Sequence, residues 1–236
     1  MPPHLAPVLS QIDLPIAELC AARLDGELFR VDECFVPVDE IEQPAHRALA
    51  LSPFLPERLI AEQRTAAWIL GVLKAAPVQH QFCVAIGARA RPVNSRRISI
   101  REVVISESEI VSYAGLRVTS PLRTAVDLIR SSSQFGADEQ QLVHELLKLG
   151  NVTTADCRLA LGQRRNLPGK RRAIERLDKL QASAPSSRWG RATTLTVAHP
   201  IHVVDGVDAA HRVEHSFQVR RVAHFEDELA ERKAIG

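Results

Sequence analysis

The chain has 236 residues, of which 45% are hydrophobic and 25% are charged, and its formal net charge is +2. This composition excludes a chain that is disordered throughout, because the apolar content is sufficient for a buried core. The longest apolar run, residues 66–73, is too short to span a membrane, and no basic stretch precedes an apolar run at the start, so we expect a cytoplasmic protein without a membrane segment or a secretory signal.

The first 45 residues predict a helix followed by a tight hairpin. Residues 16–24 form a short helical stretch, and Gly26 stands where a helix-ending glycine is expected. Two apolar runs, residues 27–31 and 34–38, are separated by only two acidic residues. A helix and then a hairpin is the order in which a winged-helix module ends. The pattern also fits a small hairpin packed on the main domain, and both interpretations stay open.

The nearly neutral total charge consists of three opposed blocks. Residues 1–45 carry a net charge of −7, with Arg23 and Arg30 as their only basic side chains apart from histidine. Residues 87–101 carry +5, and residues 158–191 carry +8. Basic blocks of this kind favour contact with a nucleic acid or an acidic protein. A further interpretation is that the basic blocks face the acidic segment within the same molecule.

The next stretch, residues 45–73, predicts helices. Pro53 and Pro56 interrupt the helical pattern once, and residues 57–73 then form a second helix. Trp68 lies at the centre of this helix, and we expect it to anchor the core rather than to stack on a ligand.

Strands are predicted after this helical region. Apolar residues alternate with others over residues 82–86 and again over residues 98–105. The arginine-rich stretch between these runs is interpreted as a hairpin loop, with arginines at its tip and base. A third strand is predicted over residues 110–119.

Four helices are predicted between residues 120 and 181. Ser120 caps the first, Pro121 occupies its first position, and Arg123 and Asp127 form an i,i+4 ion pair within it. The other three cover residues 138–149, 154–163 and 168–181.

The last of these helices is strongly basic. Lys170, Arg171 and Arg172 crowd its first turn, where the helix dipole disfavours cations, and a bound polyanion would relieve that mismatch. Its spacing predicts Arg172, Arg176 and Lys179 on one face. A solvated face, partly neutralised by neighbouring acids, is the alternative. The candidate nucleic-acid contacts are Arg89, Arg91, Arg96, Arg97, Arg164, Arg165, Arg172, Arg176 and Lys179.

Residues 182–236 lose this regularity and begin with a Ser- and Pro-rich linker. Five of the nine histidines lie between His199 and His224, but no framework for a metal site accompanies them. The four cysteines lie far apart and are interpreted as reduced thiols. We therefore expect no metal and no cofactor.

A nuclease needs clustered carboxylates and a lysine. Asp205, Asp208 and Glu214 have suggestive spacing, but Ser216 stands where the lysine would be. The triplet at residues 231–233 has the Glu-x-Lys form but lies in a charged terminal helix. No phosphate loop or nucleophile elbow is present. We expect no enzyme.

Three segments together resemble the AbiEi family of antitoxins from type IV toxin–antitoxin systems, in the form common in actinobacteria. They are residues 27–38 (ELFRVDECFVPV), residues 64–71 (RTAAWILG) and, most specifically, residues 117–130 (RVTSPLRTAVDLIR). The resemblance covers about residues 13–181.

This resemblance implies a winged-helix module that binds operator DNA and an α+β domain that neutralises a nucleotidyltransferase-type toxin. Arg23 and Arg30 would be the DNA contacts of the module, although a charge of −7 does not suit a phosphate-binding surface. We expect an α+β fold: an incomplete winged-helix-like module in residues 1–45, a mixed domain with a small sheet and several helices in residues 46–181, and a charged tail in residues 182–236.

The function predicted from the sequence is a DNA-binding repressor with a cognate toxin as protein partner. Two alternatives stay open. Longer relatives carry a module resembling very-short-patch-repair endonucleases where residues 182–236 lie, so the chain would be a degenerate relative of such nucleases. The other alternative is a protein-binding module without nucleic acid.

Overall fold

The computed structural model describes residues 6–88, 96–164 and 167–183. Its described part is an α+β fold with seven α-helices and two sheets, as the sequence predicts. The helices are α1 (Ile16–Leu24), α2 (Pro44–Leu51), α3 (Gln63–Ile69), α4 (Pro121–Ser131), α5 (Ala137–Leu149), α6 (Thr154–Gln163) and α7 (Lys170–Ser183). The strands are β1 (Leu28–Val31), β2 (Cys34–Pro37), β3 (Ile60–Ala61), β4 (His80–Ala85), β5 (Ile98–Val103), β6 (Ile110–Tyr113) and β7 (Leu116–Thr119).

The larger sheet has the strand order β5-β4-β3-β7-β6. β4 and β5 run parallel, with His80 opposite Ile98 and Ala85 opposite Val103. The predicted hairpin between these strands is therefore wrong, because a hairpin makes its strands antiparallel whereas parallel neighbours need a crossover. Alternation of side chains identifies a strand but not its direction.

The centre of the sheet is its shortest strand. Ile60 and Ala61 are fully buried and pair with β4 on one side and β7 on the other. The helix predicted over residues 57–73 is thus wrong at both ends, since α3 covers only Gln63–Ile69. Two apolar residues are too few to show a strand period, so their pairing on both sides decides their conformation.

The third predicted strand is a hairpin of two strands. β6 and β7 pair antiparallel, with Tyr113 opposite Leu116. Ala114 and Gly115 between them both have positive φ angles, of 47° and 83°. This is the conformation that two-residue hairpin turns require, and it reverses the chain within a stretch interpreted as one strand.

The four helices between residues 120 and 183 agree with the sequence. Ser120 Oγ accepts the amide of Arg123 at 3.3 Å and Pro121 is the first residue of α4, as predicted. Nearly all of α4 between residues 123 and 129 is buried, and the helix packs against α3, α5, α6 and α7. Trp68 is 2% exposed and belongs to the same core, which confirms its predicted role.

The N-terminal helix and hairpin are also as predicted. Val31, Cys34 and Val36 of the hairpin belong to the main core. Leu28 and Phe35 pack instead with α1 in a small separate cluster. The hairpin therefore packs against α1 on one side and against the main core on the other.

In the described part of the chain no helix is long and apolar enough to cross a membrane. The four cysteines are free, and only Cys20 is exposed. The predictions for the histidines between His199 and His224, for Asp205, Asp208, Glu214 and Ser216, and for the triplet at residues 231–233 lie outside the described residues.

Candidate nucleic-acid interface

A buried carboxylate on α4 organises the charged side chains at one end of the sheet. Asp127 is 1% exposed and accepts a hydrogen bond from Arg123 Nε at 2.8 Å, as the predicted i,i+4 pair. It also accepts Arg130 Nη2 at 2.9 Å. Arg101 of β5 contributes a third guanidinium, 3.3 Å from the same carboxylate. Three arginines on two elements thus meet one buried anion.

Arg101 extends these contacts across the sheet. Its guanidinium donates two hydrogen bonds to Glu62, at 2.5 and 2.6 Å, and Glu62 is 1% exposed. Burial would lower the pKa of Arg101, but Glu62 and Asp127 outweigh it and raise the pKa. A bidentate pair of this kind fixes the orientation of both side chains, so β5 is attached to the end of β3 and to α4.

On its other side, the network reaches the surface through Glu109. This carboxylate accepts Arg123 Nη1 at 3.0 Å and Arg164 Nη2 at 2.5 and 2.6 Å. Partial burial would raise the pKa of Glu109, but the Ser106 amide, Arg123 and Arg164 together lower it. Arg164 also donates to the carbonyl oxygen of Val104 at 3.1 Å. The C-terminal end of α6 is thereby attached to the loop after β5.

Four cations converge around residues 164–170, where α6 ends and α7 begins. Arg130 donates to the carbonyl of Pro168 at 3.4 Å, and Arg172 donates to the carbonyl of Arg130 at 2.9 Å. Lys170 donates to the carbonyl of Arg164 at 3.3 Å. We call these four residues, together with the exposed Arg171 between Lys170 and Arg172, the basic corner.

Gly169 permits this close approach. Its φ angle is +78°, and a Cβ atom on it would lie 3.1 Å from both Cγ and the carbonyl oxygen of Arg130. A larger residue would therefore be strained and would collide with α4. Glycine at this position brings the first turn of α7 against Arg130.

The electrostatics of the basic corner favour an anion. Lys170, Arg171 and Arg172 lie in the first turn of α7, at the positive end of its dipole. Arg171 is 96% exposed, and its nearest carboxylate is Glu175 at 3.7 Å. Exposed guanidinium and ammonium groups on a fixed framework are the usual contacts of backbone phosphates. The surface is thus suited to a polyanion.

Two predicted candidates are engaged inside the molecule. Arg97 donates to Asp32 Oδ1 at 2.7 Å and pairs with Glu33, so the basic and acidic blocks do face each other at this point. Arg176 is 9% exposed, which contradicts its predicted place on a face with Arg172 and Lys179. Its guanidinium donates to the carbonyls of Ile129 at 2.7 Å and Ser132 at 2.9 Å.

Arg176 also stacks on Phe135, with 4.8 Å between its guanidinium carbon and the ring centre. The residues of α7 that face inward are Ala173, Arg176, Leu177 and Leu180. Their spacing is that of a helical core face, and Arg176 is part of it because backbone carbonyls at the end of α4 accept its protons.

The other candidates lie apart or outside the described residues. Arg172 and Lys179 are exposed on α7, and Arg164 belongs to the basic corner. Arg96 is exposed near the start of β5, and Arg23 and Arg30 are exposed on the N-terminal segment. The structure does not describe Arg89, Arg91 and Arg165.

Sequence reasoning missed Arg130 as a member of the basic corner. Arg130 looks like an ordinary basic residue in the last turn of α4, where cations are common. Its contacts with Pro168 and Arg172 join residues 38 and 42 positions apart in the chain. No local pattern carries that information.

The described residues contain no group of three or more His, Cys, Asp or Glu side chains that could hold a metal ion. The buried carboxylates Glu62 and Asp127 are each engaged with arginine. These carboxylates therefore neutralise arginine side chains, and the described residues contain no open carboxylate cluster for a metal ion.

Residues 59–183 match the family model described as the AbiEi antitoxin C-terminal domain. No curated protein matches the chain. Among solved structures, the chain is similar to the RV2827C protein from Mycobacterium tuberculosis, at 18% identity and a TM-score of 0.40, over 75% of this chain and 72% of that one. The family match includes the whole larger sheet and helices α3 to α7.

Proposed function

Because the chain belongs to the AbiEi antitoxin family, we propose that it is an antitoxin-type transcriptional repressor that binds operator DNA and neutralises a cognate nucleotidyltransferase-type toxin. The family is one of regulators, so we propose no catalytic activity. Binding an operator in a bacterial cell makes the cytoplasm the place of action.

The observation that supports DNA binding most directly is the basic corner. Arg130 and Arg164 are held in place by Asp127 and Glu109, and Arg172 by the carbonyl of Arg130. Side chains that are already ordered lose little further entropy when they bind a phosphate. We propose that the basic corner contacts the DNA backbone.

The N-terminal segment is a poorer candidate for this contact. It carries nine carboxylates against Arg23 and Arg30. Asp32 and Glu33 in the hairpin turn, where a wing would meet DNA, are acidic and already paired with Arg97. Phosphates near such a surface are repelled, so we propose that operator affinity comes mainly from the basic corner.

The experiment is a binding titration of the full chain with a labelled fragment of its own upstream region, over a series of salt concentrations. Arg171→Gln together with Arg172→Gln should weaken binding at least tenfold and lower the slope of log affinity against log salt by about 1.8, since each phosphate contact contributes about 0.9. Lys74→Gln together with Lys148→Gln is the matched control, because both lysines are exposed and lie outside the basic corner.

Equal losses in both double variants would show a non-specific charge effect and contradict the proposed surface. Absence of any shift of the upstream fragment by the wild-type chain would contradict the repressor role itself. The antitoxin role has a separate measurement. It predicts a neighbouring gene for a nucleotidyltransferase-type protein, and growth of cells that express this protein is compared with and without the chain. Growth that the chain does not restore would contradict that role.

A further inference from the structure

A cavity adjoins the basic corner. Its lining residues come from the loop after β5, from the start of α4 and from the end of α6. Its volume is about 370 Å³, at the small end of the roughly 300–1,000 Å³ that ligand sites enclose. Arg164 of the basic corner is one of the lining residues, so a molecule bound in the cavity would lie beside the surface proposed to contact DNA.

Part of the cavity wall is apolar. The apolar lining residues are Val104, Ile105, Leu122, Val126 and Ala160. Val126 belongs to the main core, and Leu122 and Ala160 pack against it, so this part of the wall is held in place. A preformed apolar wall with a few polar groups is typical of sites that bind small organic molecules.

Arg123 offers the cavity a hydrogen-bond donor that the protein leaves unused. Its side chain is 3% exposed and lines the cavity. Its Nε and Nη1 atoms donate to Asp127, Glu109 and the carbonyl of Val104. Nη2 donates to no residue in the described part of the chain, and protein atoms do not enclose it completely. A guanidinium N–H without an acceptor is costly in such a position, so the cavity is suited to a ligand oxygen.

The charged groups beside the cavity have one positive charge in excess. Ion pairs link four arginines with three carboxylates, namely Arg101, Arg123, Arg130 and Arg164 with Glu62, Glu109 and Asp127. Glu109 also lines the cavity, but Arg123 and Arg164 neutralise its charge. The first turn of α4 adds the positive end of a helix dipole to the same wall. A monoanion would therefore balance the charge around the cavity.

We propose that this cavity binds a small carboxylate with an apolar body, and that the bound molecule weakens operator binding through Arg164. The carboxylate accepts the free N–H groups of Arg123, since carboxylate and guanidinium form strong charge-assisted hydrogen bonds. The apolar body contacts the wall that includes Val126 and Ala160. An anion beside Arg164 reduces the positive potential that DNA phosphates meet at the basic corner. The regulatory step rests on the proposed function, whereas binding of the carboxylate does not.

Benzoate is the probe for direct binding to the full chain, measured by calorimetry or by saturation-transfer NMR. It should bind with a Kd of about 1 mM or tighter, as expected for a ligand with so few atoms. Benzamide has nearly the same shape without the charge, and inorganic phosphate has charge without the apolar body. Each should bind at least about tenfold more weakly than benzoate, because each lacks one half of the recognition.

Two variants test the location of the site. Gln163→Glu adds a carboxylate to an exposed lining residue, and Ala160→Phe fills the cavity. Each should weaken benzoate binding at least about tenfold, by repulsion and by exclusion respectively. Gln79→Glu and Leu159→Phe are the matched controls. Gln79 precedes β4, at the end of the parallel β4–β5 pair opposite to the cavity, and Leu159 is 63% exposed on α6. Circular dichroism of each variant checks that the fold is retained.

The regulatory step has its own measurement. With benzoate at saturation, the affinity of the full chain for its upstream DNA fragment should fall about three- to tenfold, and the salt slope should fall by up to about 0.9, the contribution of one phosphate contact. Sodium chloride replaces benzoate in the reference titration, so that the ionic strength is equal. Ala160→Phe should abolish the response of the operator affinity to benzoate.

The outcomes separate this inference from the proposed function. Absence of benzoate binding to the folded wild-type chain, or equal losses in the variants and their controls, would overturn the site. Benzamide or phosphate binding as tightly as benzoate would overturn the assigned class of ligand. Benzoate binding that leaves operator affinity unchanged would overturn the regulatory step alone. A chain that binds benzoate but not the operator would contradict the proposed function while the ligand site stands.

Discussion

Arg97 and Asp32 join the two charge blocks of the molecule. Arg97 Nη2 donates to Asp32 Oδ1 at 2.7 Å, and Asp32 lies in the turn of the N-terminal hairpin with its side chain 8% exposed. His80 of β4 lies on the other side of this carboxylate, with Nε2 3.3 Å from Asp32 Oδ2. The hairpin is therefore attached to the larger sheet by charge as well as by apolar packing.

Asp32→Asn should destabilise the protein. The substitution keeps the size of the side chain and suits the positive φ angle of 54°, but it removes the charge that Arg97 and His80 face. Loss of a charged partner in a mostly buried contact costs about 1–3 kcal/mol of the free energy of unfolding. Urea unfolding measures the change. Asp39→Asn, at an exposed carboxylate of the same segment, is the control and should have little effect.

Acid should destabilise the protein through Glu109 and Asp32. Burial would raise the pKa of each, but the hydrogen bonds and cations around them lower both below their ordinary values of 4.5 and 3.8. A carboxyl group with a lowered pKa stabilises the fold above its unfolded-state value and loses this contribution as the pH falls through the folded one. We therefore expect the urea midpoint to fall as the pH decreases below about 4.5.

The variant Glu109→Gln isolates one group in this pH range. It should have a lower urea midpoint at neutral pH and a flatter decline in acid than the wild-type chain, because one of the titrating groups is gone. Glu57→Gln, at an exposed glutamate, should keep the wild-type profile. If the urea midpoint of Glu109→Gln falls as steeply in acid as that of the wild type, groups other than Glu109 cause the acid destabilisation.

The parts of the fold that follow from neighbouring residues were predictable. Ser120, Pro121 and the Arg123–Asp127 pair define the start of α4 within eight residues, because capping and i,i+4 pairing act locally. β3 was not predictable, because two residues carry no period and their partners come from β4 and β7. The direction of β5 was not predictable either, because alternation of side chains does not distinguish parallel from antiparallel pairing with β4.

The positive charge of the candidate site was predictable from the sequence, but the residues that form the site were not. The +8 block of residues 158–191 does contain most of the basic corner. Which cations remain available depends on packing, since Arg176 and Arg172 are one turn apart and only one of them is buried. The spacing of Ala173, Leu177 and Leu180 could have indicated that position 176 faces inward, three residues beyond the first of them.

Asp127→Asn should be among the most destabilising conservative changes in the described part of the chain. Asp127 is the common acceptor of Arg101, Arg123 and Arg130, and an amide would remove the buried charge that the three guanidinium groups share. Arg101 would keep Glu62 and Arg123 would keep Glu109 as carboxylate partners. Removing one member of a buried ion network costs about 3–5 kcal/mol. Thermal and urea unfolding measure the loss.

The control for this substitution is Asp178→Asn. Asp178 pairs with Arg158 on the surface, and its side chain is 61% exposed. Exposed pairs contribute about 0–1 kcal/mol, so this variant should stay close to the wild type. A similar small effect in Asp127→Asn would mean that the arginines find other acceptors and that the network does not hold the sheet and α4 together.

Substitutions at Arg176 and Arg172 should affect stability and DNA binding separately. Arg176→Leu removes two hydrogen bonds to the carbonyls of Ile129 and Ser132 and the stacking on Phe135, at a cost of about 2–4 kcal/mol in the free energy of unfolding. Its operator affinity, measured on the folded fraction, should stay within about twofold of the wild type, because a buried cation does not reach phosphates. Arg172→Leu should do the reverse. Arg172 is exposed and its hydrogen bond to the carbonyl of Arg130 lies at the surface, so stability changes little while operator affinity and its salt dependence both fall. Equal effects of the two variants on affinity would contradict the assignment of the basic corner as the DNA-binding surface.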